Sequence, residues 1–164
     1  MKKRTFILLI TVLVSSVAFS QPLKTAQPQS TADELPAVAV TQTDGSTLQL
    51  QSLKGDVIII LFNSQCDHCQ HEAQSILEKK HLFKNKQLYF ISAESMDLIK
   101  RFITDYKMTE PNFHFSHADP AQVYQGFGNF RSIPAIFLYR NKKRIGKFES
   151  TTAVEDIANV FSVK

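Results

Sequence analysis

Six consecutive apolar residues, Val57-Ile58-Ile59-Ile60-Leu61-Phe62, run through the chain without polar alternation. Such a pattern predicts a strand buried on both faces, as at the centre of a parallel sheet. Ahead of it, Ala37–Val40 and Thr47–Gln51 flank the turn signal Asp44-Gly45 and predict two short strands in a hairpin. Behind it the period changes. Ala73, Ile76 and Leu77 share one helical face, with Lys79 and Lys80 near the far end, where cations suit the helix dipole. Gln87–Ala93 predicts a second core strand, and Ile99, Phe102, Ile103 and Tyr106 predict a helix from Met96 to Lys107, with Pro111 beyond it. A short strand is expected within Asn112–Asp119 and a helical turn over Pro120–Gln125, with Tyr124, Phe127 and Phe130 packing this region against the sheet.

Pro134–Tyr139 is a further apolar strand, which turns at Asn141-Lys142 and returns through Arg144–Glu149. Thr152 and Glu155 have the spacing of a capping box, opening a last helix whose buried stripe is Val154, Ile157, Ala158 and Phe161. Strands alternating with helices, closed by a hairpin and a helix, predict an α/β sandwich with a mixed sheet.

The first twenty residues do not belong to that pattern. A basic start, Met1-Lys2-Lys3-Arg4, precedes an apolar run from Phe6 to Val14, and Ala18-Phe19-Ser20 supplies small residues for cleavage. Residues 1–20 therefore read as a secretory signal peptide. The alternative is an uncleaved anchor in the inner membrane, for which the run is short against the roughly 20 residues of a span. Residues 21–34, rich in Gln, Pro, Ser and Thr, read as a flexible tether, and 35–164 as one domain. Loss of Lys2, Lys3 and Arg4 with the signal takes the 19 basic residues to 16 against 15 acidic ones, and the net charge from +4 to +1. The remaining basic cluster, Arg140 to Arg144, coincides with the predicted turn. Nothing in that balance calls for a nucleic-acid partner.

The only two cysteines, Cys66 and Cys69, stand in Phe62-Asn-Ser-Gln-Cys-Asp-His-Cys-Gln-His-Glu72. In an exported chain, a bridge across two intervening residues removes little entropy from the unfolded state, so a structural staple is a poor use of the pair. At a strand-to-helix junction, Cys66 meets the unpaired N–H groups and positive dipole end of the helix. That setting favours a thiolate and predicts a Cys66 pKa below the ordinary value of about 8.5. Cys69, one turn on, lies close enough to resolve a mixed disulfide formed at Cys66. His68 between them is placed to add positive charge or a hydrogen bond near the Cys66 sulfur, which would make the pair more oxidising. A metal use stays open: Cys66, His68, Cys69 and His71 are four soft or borderline ligands within six residues. A zinc ribbon would need a second pair, and His81, His114 and His117 are scattered, so copper(I) between two thiolates, as in a metallochaperone, is the alternative.

From Leu53-Lys54-Gly55 through the apolar strand to Cys66-Asp-His-Cys69-Gln-His-Glu72, the chain resembles the thioredoxin superfamily. It is most similar to the exported TlpA/ResA-like thiol–disulfide oxidoreductases with a redoxin (AhpC/TSA-like) domain. The resemblance extends over Leu35–Lys164 and includes Ser132-Ile133-Pro134-Ala135, which matches the loop carrying that family's cis-proline. It implies a thioredoxin-like three-layer sandwich, a mixed central sheet with helices on both faces and an N-terminal β-hairpin. It also implies Cys66 as nucleophile, Cys69 as resolving thiol, Pro134 as the cis-proline, and Ile133 offering backbone hydrogen bonds to a bound substrate chain. Glu72 falls where these relatives often carry a glutamate, a candidate for proton transfer. Three residues depart from the pattern. Gln65, on the expected docking surface, stands where tryptophan usually precedes the first cysteine; Ile60 replaces a buried aspartate; Gln74 replaces a helix proline. A peroxiredoxin would carry threonine where Asn63 stands and a proline before it, and neither is present.

The expected function is thus disulfide exchange with exported proteins in the periplasm by a monomer. Its partners would be protein thiols or disulfides and a membrane or periplasmic redox protein, with no cofactor and no metal. His68 points to an oxidising pair, the resemblance to a reducing one.

Overall fold

The computed structural model describes residues 33–128 and 130–162. The expected signal peptide and most of the expected tether lie outside the described residues. Asp33 and Glu34, assigned to the tether by sequence, are held against the C-terminal hairpin. Glu34 bridges Lys143, the Arg144 N–H donates to the Asp33 carbonyl at 2.7 Å, and the Arg144 guanidinium meets the Asp33 carboxylate at 3.0 Å.

The hairpin forms from β1 (Ala39–Gln42) and β2 (Thr47–Gln49), turning at Gly45 with a left-handed φ of 86°. It is shorter than predicted at its far end, because Leu50–Ser52 winds into a 3₁₀ turn that buries Leu50 completely. The six-residue apolar run becomes β3 (Asp56–Leu61), followed by α1 (Asp67–Glu78), β4 (Gln87–Ser92) and α2 (Met96–Asp105). The least regular part of the sequence resolves into β5 (Phe113–His117) and α3 (Pro120–Phe127), the latter capped by the Asp119 carboxylate on the N–H groups of Ala121 and Gln122. The chain ends with β6 (Ala135–Arg140), β7 (Lys143–Glu149) and α4 (Val154–Asn159). Asn141 and Lys142 both adopt positive φ, 49° and 74°, which suits the twist of a tight hairpin.

One mixed sheet orders the strands β2-β1-β5-β4-β3-β6-β7. β3, β4 and β5 run parallel; β6 pairs antiparallel with β3, and β1 with β5. Strand alternation divides the core in two. Ile58, Ile60, Leu88, Phe90, Ile136 and Leu138 face α1, α2 and α4, while Ile59, Leu61, Ile91 and Phe137 face α3 and the N-terminal segment. With both faces covered, the unbroken apolar pattern of β3 is accounted for. Among the described residues no helix is long and apolar enough to cross a membrane.

Two further local expectations fail. Thr152 and Glu155 form no capping box: the N-cap of α4 is Ala153 and makes no side-chain cap bond. The reason is competition from α1, since the Thr152 N–H donates to Glu72 and Glu155 is drawn to Lys79 at 2.6 Å. Tyr124 does not pack against the sheet as Phe127 does; it is 60% exposed, on the outer side of α3.

Gly126 on α3 lies directly against the N-terminal segment. A methyl group there would collide with the Val38 side chain and stand 3.0 Å from Pro36 Cβ. Helix propensity alone favours alanine by about 1 kcal/mol. Overpacking a closed core costs about 1–3 kcal/mol, and Val38 is only 1% exposed. Gly126→Ala is therefore expected to lower stability, by up to about 2 kcal/mol, in urea unfolding; a stabilised variant would contradict this packing.

Candidate active site

The register of the central strands assembles the site. β3 and β6 pair Leu61 with Ala135, so the residue before Ala135, Pro134, lies beside the point where β3 leads into the cysteine segment. The Ile133–Pro134 peptide bond is cis. On the other flank, β3 and β4 pair Leu61 with Ile91, and the Phe62 N–H donates to the Ile91 carbonyl at 3.1 Å. Residues 92–94 thereby come up beside Asn63 and Ser64.

Between strand and helix the chain makes a tight turn. The Asn63 side-chain oxygen accepts from the Gln65 N–H at 2.8 Å, and its carbonyl accepts from the Cys66 N–H at 3.2 Å. Cys66 is the N-cap of α1, with extended backbone and no side-chain cap bond. It is partly exposed, and its sulfur lies 3.9 Å from the Ile133 carbonyl oxygen. The two cysteines are free thiols, and Cys69 is 2% exposed behind Cys66. Burial pushes the Cys69 thiol up to about 12, aided by its hydrogen bond to Cys66 and by the charges of Cys66 and Glu94, against a backbone hydrogen bond from Asn63. One thiol is thus presented to solvent at a helix N-terminus, and the other is kept protonated beneath it.

The remaining predicted residues lie around this pair. Gln65 is exposed and borders a notch of about 200 Å³ shared with Ser64, Gln70, Arg101 and Tyr106. His68 is exposed, and its Nδ1 stands 3.4 Å from the Thr151 hydroxyl, on the loop after β7. Glu72 is 1% exposed. One of its oxygens accepts from the Thr152 N–H at 2.9 Å and the other has no partner. Burial raises its pKa above 4.5, opposed by the Thr152 N–H and by His71. Ile60 is buried on the α1 side of β3, where the resemblance places an aspartate in relatives. The loop after β7 also touches the cis-proline, the Ser150 N–H donating to the Pro134 carbonyl at 2.9 Å.

Glu94 was not among the predicted residues. It lies two residues beyond the C-terminal end of β4, and its charge acts on Cys69. Its position after a buried parallel strand was the available signal, because sites in such sheets gather at the carboxyl ends of the strands. His114 and His117 belong to β5. They are engaged by the Gln87 side chain at 2.7 Å and the Glu94 carbonyl at 2.8 Å. Among the described residues no group of three or more His, Cys, Asp or Glu is gathered for a metal ion, and His71 is exposed.

A family model described as the AhpC/TSA family matches residues 31–147. The chain belongs to that family. Solved structures of the same fold include the thioredoxin domain of a thiol-disulfide oxidoreductase from Bacteroides vulgatus. At 18% identity and a TM-score of 0.67, the match covers 80% of this chain and 97% of that one. A secreted Mycobacterium tuberculosis disulfide oxidoreductase homologous to E. coli DsbE matches at 15% identity and a TM-score of 0.63, over 78% of this chain and 96% of its own. StoA from Bacillus subtilis matches at 16% identity and a TM-score of 0.61, over 78% and 98%. No curated protein matches significantly. The fold is thioredoxin-like, as the sequence resemblance implied.

Glu72 gives a pH test of the site. Its folded pKa is raised, so above pH 4.5 the folded protein retains a proton that the unfolded chain has released. Stability then falls as pH rises, by at most about 1.4 kcal/mol per pH unit, until Glu72 ionises in the folded state. Glu72→Gln retains an acceptor for Thr152 without that loss. Its melting temperature should gain on the wild type progressively from pH 4.5 upward; a constant difference would refute the burial account.

Proposed function

We propose that this protein is an exported thiol–disulfide oxidoreductase acting on protein disulfides through a mixed disulfide at Cys66. The observation that carries the proposal is the asymmetry of the pair. Cys66 is accessible at the N-terminus of α1 and faces the Ile133 carbonyl, while Cys69 is buried and hydrogen-bonded behind it. The family membership and the thioredoxin-like fold support the same chemistry.

In the reducing direction, the Cys66 thiolate attacks one sulfur of a substrate disulfide, and the other sulfur leaves as a thiolate that takes up a proton. Cys69 then gives up its proton and attacks the Cys66 sulfur, which releases the second substrate thiolate and leaves a Cys66–Cys69 disulfide. Two electrons have passed from the dithiol to the substrate. Oxidation of a substrate dithiol is the reverse sequence. Glu72, one helical turn after Cys69 and with an unpartnered buried oxygen, is the proton acceptor in this scheme. The Ile133 backbone and the exposed Gln65 form the surface on which a substrate chain would rest, with Pro134 shaping it and His68 at its edge. Export to the periplasm, free or by an uncleaved N-terminal anchor, and action as a monomer complete the reading.

Cys66→Ser is expected to abolish exchange with a disulfide-bonded protein, and Cys69→Ser to accumulate the mixed disulfide on a non-reducing gel. Retained activity in Cys66→Ser would reverse the role assignment. The direction follows from the reduction potential of the pair against glutathione: near about −120 mV it serves oxidation, near about −270 mV reduction. Copper(I) titration of the reduced protein tests the alternative use of the same thiols. Tight stoichiometric binding together with no disulfide exchange would overturn the oxidoreductase reading.

A further inference from the structure

Glu94 reaches the cysteine turn from the bend between β4 and α2. Its Oε2 accepts from the Ser64 N–H at 2.6 Å and from the Ser92 hydroxyl at 3.0 Å, and its Oε1 accepts from the Ser64 hydroxyl at 2.8 Å. Glu94 is itself anchored. Its N–H donates to Ser92 Oγ at 3.2 Å, Ser92 is buried, and the Glu94 carbonyl is engaged by His117 Nδ1 at 2.8 Å.

The segment so gripped is the turn that leads into Cys66. The Ser64 carbonyl is tied to α1 by the Gln70 side-chain amide at 2.8 Å. Asn63, next to Ser64, accepts from the Cys66 N–H and makes a backbone hydrogen bond to the Cys69 sulfur. Ser64 is thus held on one side by Glu94 and on the other by Gln70, and its neighbour touches both cysteines. Hydrogen bonds to an ionised acceptor are shorter and roughly twice as strong as neutral ones, so the carboxylate is a firmer clamp than an amide or hydroxyl.

We infer that Glu94 is a positioning residue for the dithiol: its carboxylate fixes the Asn63–Gln65 turn and so holds the Cys66 sulfur at the Ile133 carbonyl. The inference deepens the oxidoreductase reading and rests on it. The same carboxylate has a second effect. Its three hydrogen-bond donors are neutral, and its charge works with burial against a thiolate at Cys69. Glu94 therefore favours the first step through geometry and restrains the second through charge. A mixed disulfide is held until Cys69 is deprotonated.

The test uses 5,5′-dithiobis(2-nitrobenzoate) on the reduced full-length protein, with absorbance read by stopped flow. Attack by Cys66 releases one coloured thiolate, and attack by Cys69 on the Cys66 sulfur releases the second. Glu94→Ala should slow the first release several-fold, and Glu94→Gln, which keeps an oxygen for the Ser64 N–H, should restore most of it. Glu94→Gln should also move the pH profile of the second release to lower pH and quicken it at neutral pH. Because nucleophilicity falls as the thiol pKa falls, the gain in rate should be smaller than the gain in thiolate fraction. Wild-type exchange with neither variant changing either phase would overturn the role of Glu94 alone. Equal slowing of both phases in both variants would also overturn it, as the mark of a structural residue only. A wild type that never releases the second thiolate would overturn the oxidoreductase reading, and this inference with it.

Discussion

The pairing register of β3 is the constraint on which the rest depends. Leu61 is held between Ile91 of β4 and Ala135 of β6, and it is the last residue of the strand before the chain leaves the sheet. Two backbone ladders therefore bring three segments to one place. These are the cysteine turn, the cis-proline loop 67 residues beyond Cys66, and the bend after β4 that carries Glu94. A slip of one residue would send Ile58 and Ile60 to the opposite core and part these segments from one another. Burial of both faces makes that slip costly, because each layer is already filled.

Placed at the solvent edge of the sheet, the two thiols acquire opposite characters from the same helix. Cys66 occupies the N-cap, open to solvent and to the helix dipole, and Cys69 points into the α1-facing core. Burial penalises charge on Cys69 while leaving Cys66 accessible. Two carboxyl groups bracket Cys69 along the chain of contacts. Glu72 follows it by one turn and is held by the loop after β7; Glu94 acts across the turn before α1. Where relatives are expected to bury an aspartate, this protein buries Ile60, so in the proposed scheme Glu72 of α1 takes the Cys69 proton while the charge of Glu94 opposes a thiolate there.

Much of this was legible in residue order. The strand run at 57–62, the helical stripes at 73–77 and 99–106, the Asp44-Gly45 turn and the placement of Cys66 at a strand–helix junction all follow from periodicities of two and 3.6 and from turn chemistry. Those features are local, and local propensity agrees with the final packing. The capping box at Thr152 and Glu155 was legible too, yet wrong. Its donor and its carboxylate had stronger partners, Glu72 and Lys79, more than seventy residues away. Tyr124 failed for a local reason: α3 runs to Phe127, which is buried, and leaves Tyr124 exposed.

By itself the sequence determined the chemical repertoire: two thiols one helical turn apart at the end of an apolar strand, and an X-Pro bond entering another core strand. Those are properties of residue type and spacing along a few consecutive positions. Only the tertiary structure decided which thiol is accessible, that Glu72 is buried with an unpartnered oxygen, and that Glu94 grips Ser64. Each of these depends on contacts between segments far apart in the chain, set by strand register and by which groups water can reach. No local pattern carries that information.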